Sequence, residues 1–114
     1  MSTASDQANR RRILRRKVAL PAILAAMDNG VSFDCLIRDL SETGAKLAVP
    51  PSEAIPEMFF IIDVRARTAH KATLIWQTKK EIGVQYQSTL ALTIGLDRSL
   101  RFLNRLWLQR VARL

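Results

Sequence analysis

Between residues 18 and 86 the chain is a series of six short apolar runs, each ended by a turn, and this rhythm limits the fold more than any other feature. "VALPAILAAM" is apolar throughout and stops at Asp28-Asn29-Gly30, a hairpin signal, because Asn and Gly tolerate the positive φ of a tight turn. "VSFDCLIR" then alternates, with Val31, Phe33, Cys35 and Ile37 on one face and Ser32, Asp34 and Arg38 on the other. That is the pattern of a half-buried strand. The polar stretch "DLSETG" interrupts it, "AKLAV" alternates again, and the loop "PPSEAIPE" stops regular structure. "MFFIIDV", "KATLIWQ" and "IGVQY" supply three more strands, the last two separated by the charged turn "TKKE". Pro21 has no amide hydrogen for a ladder, so its strand is expected to lie at an edge or carry a bulge there. Six short strands with turns at close spacing predict a mainly β fold, a small six-stranded antiparallel barrel.

After Gly95 the pattern changes. "LDRSLRFLNRLWLQRVARL" places Leu96, Leu100, Leu103 and Trp107 at helical spacing, with the arginines largely elsewhere. An isolated helix of this length is marginal in water, so a C-terminal amphipathic α-helix packing over an open end of the barrel is expected. Phe102, Leu106 and Leu108 would be left exposed as a surface for homo-oligomers or a partner. The division expected is a flexible N-terminal tail at 1–9, a basic arm at 10–17, the barrel at 18–88 and the helix at 89–114. Cys35 is expected to be a small core residue, and His70, beside a turn near Arg65, Arg67 and Lys71, to be exposed.

At 114 residues the chain is one domain, long enough to bury a single core. No segment approaches the roughly 20 apolar residues of a membrane helix, so no membrane span is expected. One cysteine and one histidine exclude an internal disulfide and a zinc site of the usual Cys/His kind. A cytoplasmic protein is the simplest reading. The formal charge of +8 sits at the two ends: residues 1–20 hold six basic groups and Asp6, and residues 95–114 hold five arginines and Asp97. The middle, 21–94, is near neutral, with seven basic and eight acidic groups. Basic termini around a neutral body favour an anionic partner.

Two motifs belong together. The arm "RRRILRRKVALP" contains Arg-x-x-x-Arg, with Arg11 and Arg15 as one such pair, and about two dozen residues later comes Asp-x-Ser-x-x-Gly in "DLSETG". Arg12 and Arg16 satisfy the first spacing too. In this order at the head of a small barrel, the pair resembles the PilZ domain family, bacterial receptors for the second messenger cyclic di-GMP. "NRRRILRRKVALPAIL" is similar to the family's opening, and "LIWQTKKEIGVQY" to its late strand–turn–strand ending in Gly-Val-x-aromatic; the likeness covers residues 9–86. The resemblance implies a six-stranded barrel with a trailing helix. It also implies that Arg11 and Arg15 hold guanine and phosphate, that Asp39 and Ser41 read a guanine edge, and that Gly44 shapes their turn. Arg10, before the first paired arginine, would favour two mutually intercalated ligand molecules, and Trp76 falls where some members place an aromatic beside the ligand. The chemistry suits such a ligand. Guanidinium pairs bidentately with guanine O6 and N7 or with phosphate, and carboxylate accepts from guanine N1–H and N2–H₂.

No nucleophile–base pair, paired carboxylates or glycine-rich phosphate loop marks an enzyme, and no cofactor is called for. Binding would act through conformation, the arm folding onto the ligand and altering what a downstream protein meets. Three rival readings stand beside this one. The first is an adaptor barrel without nucleotide. The intact arginines, Asp39 and Ser41 count against it. The second is a nucleic-acid-binding domain, suggested by the sequence pI of about 10.8, whose binding would depend on total charge more than on Asp39. The third is a signal peptide in residues 9–26, which the proline and the need for a first strand oppose.

Overall fold

The computed structural model describes residues 16–28, 30–51, 54–93 and 96–113. Six strands, β1 (Arg16–Ala26), β2 (Ser32–Leu40), β3 (Gly44–Ala48), β4 (Met58–Asp63), β5 (Thr68–Gln77) and β6 (Glu81–Ala91), precede a 3₁₀ turn at Arg98–Leu100 and one helix, α1 (Arg101–Ala112). The strands close into an antiparallel barrel in the order β1-β2-β3-β6-β5-β4. The mainly β, six-stranded architecture is therefore as the spacing of runs and turns predicts. The β1–β2 hairpin closes at the expected place, where Ala26 N donates to Val31 O at 2.7 Å and Gly30 N to Asp28 Oδ1 at 2.9 Å.

Period-two alternation divides β1 and β4 between two cores. Ala22, Leu24, Phe59 and Ile61 point into the barrel, where they pack with Ile37, Leu47 and Ile82. Their neighbours Ile23, Ala25, Phe60 and Ile62 point outward and are buried as well, beneath Phe102 and Leu103 of α1. The helix thus lies on the outer wall of β1 and β4 rather than over an open end. Phe102, expected at the surface, is a core residue: its exposure is 7%, and its ring meets that of Phe60 edge-on at 6.3 Å. Leu106 is half-buried there, and Leu108 is exposed. The covered stretches of β1 and β4 read "AILA" and "FFII" because a strand covered on both sides keeps no polar face.

The helix is tied down by polar contacts too. Trp107 Nε1 donates to Val64 O at 2.7 Å, and the Arg67 guanidinium lies 4.3 Å from the centre of the Trp107 ring. Arg67 is the one described non-glycine residue with positive φ (54°), in the β4–β5 turn. Asp34 holds the other end of the helix through Arg110 and Arg113, each at 3.6 Å.

Pro21 stands where the β1–β4 ladder ends, one residue before the pair Ala22–Asp63, and the β1–β2 register shifts between Lys17 and Leu20. β6 runs on to Ala91, so the helical region starts later than residue 89, and Arg16 and Lys17 belong to β1. Cys35 packs against the barrel core, and its burial, ahead of the nearby Asp34 charge, pushes the thiol up to about 12. His70 is half-buried rather than exposed. It stacks flat on Tyr86 with 4.1 Å between ring centres and shares a 2.7 Å hydrogen bond with Thr89 Oγ1. Burial holds its pKa below the ordinary value, against a weaker opposing pull from Asp63.

Candidate functional site

Four of the seven residues singled out in the sequence come together. Asp39, Ser41, Gly44 and Trp76 line one groove of about 270 Å³ on the outer wall of β2, β3, β5 and β6, with Lys46 and Gln85. The other three, Arg10, Arg11 and Arg15, lie outside the described residues. The described chain begins at Arg16, which pairs with Leu40, so it enters the barrel one residue from Ser41.

Two bulges put the side chains of this groove where they are. In β2, Ile37 pairs with Leu47 and Asp39 with Lys46, leaving Arg38 as an extra residue. Ile37 points into the barrel, and without the extra residue Asp39, two positions on, would follow it inward. In β5, Leu74 pairs with Val84 and Trp76 with Gly83, leaving Ile75 extra; Leu74 packs against the core while Trp76 is turned out, 42% exposed. Bulges commonly re-aim a side chain in this way beside functional sites.

Each glycine of the groove makes room for something. A Cβ on Gly44 would run into the backbone carbonyl of Val84 on the paired strand. Close approach, not positive φ, is what this position demands. A Cβ on Gly83 would run into the Trp76 indole, which lies across that glycine. Cross-strand cover of a glycine by an aromatic ring is a recognised device of β-sheets. It fixes the ring as one wall of the groove.

The turn between β2 and β3 consists of Ser41, Glu42 and Thr43, while Asp39 and Leu40 are still strand. Ser41 N donates to Gly44 O at 3.0 Å; Ser41 Oγ donates to the same oxygen and accepts from Gly44 N, both at 3.2 Å. With its one proton committed, this hydroxyl can offer an incoming group only an acceptor lone pair. The turn is tied to β6 by Tyr86 N, which donates to Thr43 O at 2.8 Å.

Asp39 is ion-paired. Lys46 Nζ lies 3.0 Å from Asp39 Oδ2 and 3.9 Å from Glu81 Oε2. Lys46, Gly83 and Gln85 were not foreseen from the sequence. For Lys46 a signal existed: it stands two residues after Gly44 in "GAKLAV", at a polar position of an otherwise apolar run. Taken together, the groove offers carboxylate and hydroxyl acceptors, a primary ammonium donor and an indole face. That set suits a planar base with N–H donors joined to an anionic group. Among the described residues no group of three or more His, Cys, Asp or Glu could hold a metal ion.

No curated protein matches the chain. The profile of the PilZ domain matches residues 9–102. That match takes in the arginine run, the segment from Asp39 to Gly44, all six strands and the start of α1, and the chain belongs to the PilZ domain family.

Proposed function

We propose that the protein is a receptor for cyclic di-GMP, acting in the cytoplasm of a bacterium and passing the signal to a partner protein. PilZ domains are in general cyclic di-GMP-binding or adaptor domains rather than catalysts. The observation that carries the receptor reading is the convergence of Asp39, Ser41, Gly44 and Trp76 on one groove, beside the point where the arginine arm joins β1. Arg11 and Arg15 clamp phosphate and guanine, Asp39 and Ser41 accept hydrogen bonds from a guanine edge, and the indole of Trp76 flanks a base. Arg10 selects a pair of intercalated ligand molecules. Extended chain covers at most about 3.5 Å per residue, so Arg11 lies within about 18 Å of the Arg16 Cα, well within reach of the groove. The arm orders over the groove on binding and changes the surface a partner meets. The exposed side of α1, with Leu108 at 51% exposure, is a second contact surface, for a partner or another copy. No described helix is long and apolar enough to cross a membrane.

The test is calorimetric titration of the full chain with cyclic di-GMP, using GTP and cyclic AMP as controls. Selective binding near two ligands per chain, lost in Arg15→Ala and Asp39→Ala, supports the whole reading. Stoichiometry near one removes the role given to Arg10. Absence of binding far above micromolar ligand would leave an adaptor barrel.

A further inference from the structure

The pairing registers place Lys17, Asp39, Lys46, Gly83 and Trp76 opposite one another across five successive strands, β1, β2, β3, β6 and β5. Residues directly opposite in antiparallel strands face the same side, their Cβ atoms about 5 Å apart. The outer wall of the barrel thus carries a row in which the one carboxylate has an ammonium group on each flank, followed by a glycine covered by an indole. Lys46 touches Asp39 at 3.0 Å, whereas Lys17 is exposed and makes no ion pair with another described residue.

We infer that Lys17 and Lys46 form an anion subsite that takes a phosphodiester of the nucleotide, distinct from the contacts of the arginine arm. This inference rests on the receptor reading above. The row fixes how the charges move. A guanine edge that donates N1–H and N2–H₂ takes both carboxylate oxygens of Asp39, including Oδ2, the one that Lys46 holds in this structure. Lys46 is then released from Asp39 while still tethered on the floor of the groove. Its nearest alternative acid is Glu81, at 3.9 Å, so its charge is best met by the phosphodiester attached to the guanine it has made way for. Three rotatable donors on a flexible stem allow that shift without any backbone movement. Lys17, at the entry of the arm, meets the same anion from the other side of Asp39.

The experiment is calorimetric titration of the full-length protein with cyclic di-GMP at low and high NaCl, for wild type, Lys46→Met, Lys17→Met, Asp39→Asn and the double variant Lys46→Met/Asp39→Asn. Lys46→Met is expected to bind about tenfold more weakly, ~1.4 kcal/mol. Its affinity should fall less steeply with salt than that of wild type, because one charge has left the contact. Lys17→Met should lose about threefold, the smaller share expected of an exposed charge. The double variant separates contact from support. Asn keeps one acceptor oxygen for the guanine edge, so Asp39→Asn weakens binding where Asp39→Ala loses it. If Lys46 touches the anion, its tenfold loss persists when Asp39 is already Asn. The inference is overturned if Lys46→Met binds as well as wild type or better, or if its loss vanishes in the Asp39→Asn background, where a residue that merely orients Asp39 has nothing left to do. Wild type that fails to bind removes the receptor reading and this subsite together, a result distinct from both. Unchanged melting temperatures across the series guard against misfolding as the cause.

Discussion

The barrel has two outer walls built on opposite plans. On β1 and β4 the outward residues are Ile23, Ala25, Phe60 and Ile62, and the helix buries them. On β2, β3, β5 and β6 the outward row is Lys17's neighbour Asp39, then Lys46, Gly83 and Trp76, and it stays open as a groove. From Ala22 to Ala25 and from Phe59 to Ile62 the first wall keeps strict alternation, and its chemistry follows from burial alone. On the second, a bulge precedes both Asp39 and Trp76, and a glycine takes the place of a side chain. One wall is made to be covered by the chain itself; the other departs from regular geometry where it has to present groups to something else.

This contrast can be broken from either side. The largest effect is expected on the covered wall: Phe102→Ala removes a ring packed against Phe60 and should cost about 4 kcal/mol of stability. Measured by urea unfolding, that loss should leave affinity for cyclic di-GMP little changed, and a matching loss of affinity would show that the two walls are not independent. Next comes Gly44→Ala, which drives a methyl group into the Val84 carbonyl and should cost about 2 kcal/mol, since the backbone of β3 or β6 has to move. Here stability and affinity should fall together.

Gly83→Ala sharpens the distinction, because what it meets is the indole of Trp76 and not backbone. Stability should change by less than about 1 kcal/mol. The emission of Trp76, read in a Trp107→Phe background, should shift as the ring swings away. A melting temperature that drops as far as in Gly44→Ala would mean the indole is fixed by more than its glycine.

The smallest effect is one of pH, and it belongs to neither wall. Burial lowers the folded pKa of His70 below the unfolded value of about 6.5, against a weaker opposing pull from Asp63. As pH falls below 6.5 the unfolded chain takes up a proton that the folded one refuses, so stability should decline until the folded pKa is reached and then level off. Urea midpoints from pH 7.5 to 5 should show this decline, and His70→Gln should flatten it. A slope of opposite sign in wild type would mean His70 gains an acidic partner in solution.

How much of this could be read in the sequence differs between the walls for the same reason. The strands and their closure into a barrel were legible because alternation and turn residues are local signals, and "AILA" and "FFII" carry a burial so complete that it shows as unbroken apolar runs. Where the helix lies was not legible. A two-sided apolar strand states that it is covered but not by what, and Phe102 sits off the Leu96–Leu100–Leu103–Trp107 stripe. The groove's members Asp39, Ser41, Gly44 and Trp76 were found by motif, whereas alternation alone would have sent Asp39 inward with Ile37 and Cys35. A bulge adds one residue of ordinary type, Arg38 or Ile75, and leaves no mark in composition. For Lys46 the sequence marks only a polar position in an apolar run; its pairing with Asp39 across strands comes from register.

Arg67 carries a consequence for how the parts of the molecule depend on one another. A side-chain-bearing residue held at φ 54° sits roughly 1–2 kcal/mol above its relaxed backbone. Its guanidinium recovers part of that against α1, over the Trp107 ring and by donating to Asn104 Oδ1 at 3.5 Å, while its carbonyl accepts from Leu92 N at 3.0 Å on the way to the helix. The β4–β5 turn and the C-terminal helix therefore support each other: the strained turn is stabilised by the docked helix, and the helix is held by the turn. By the same linkage, whatever lifts the helix from the barrel loosens a hairpin tip that is far from it in sequence.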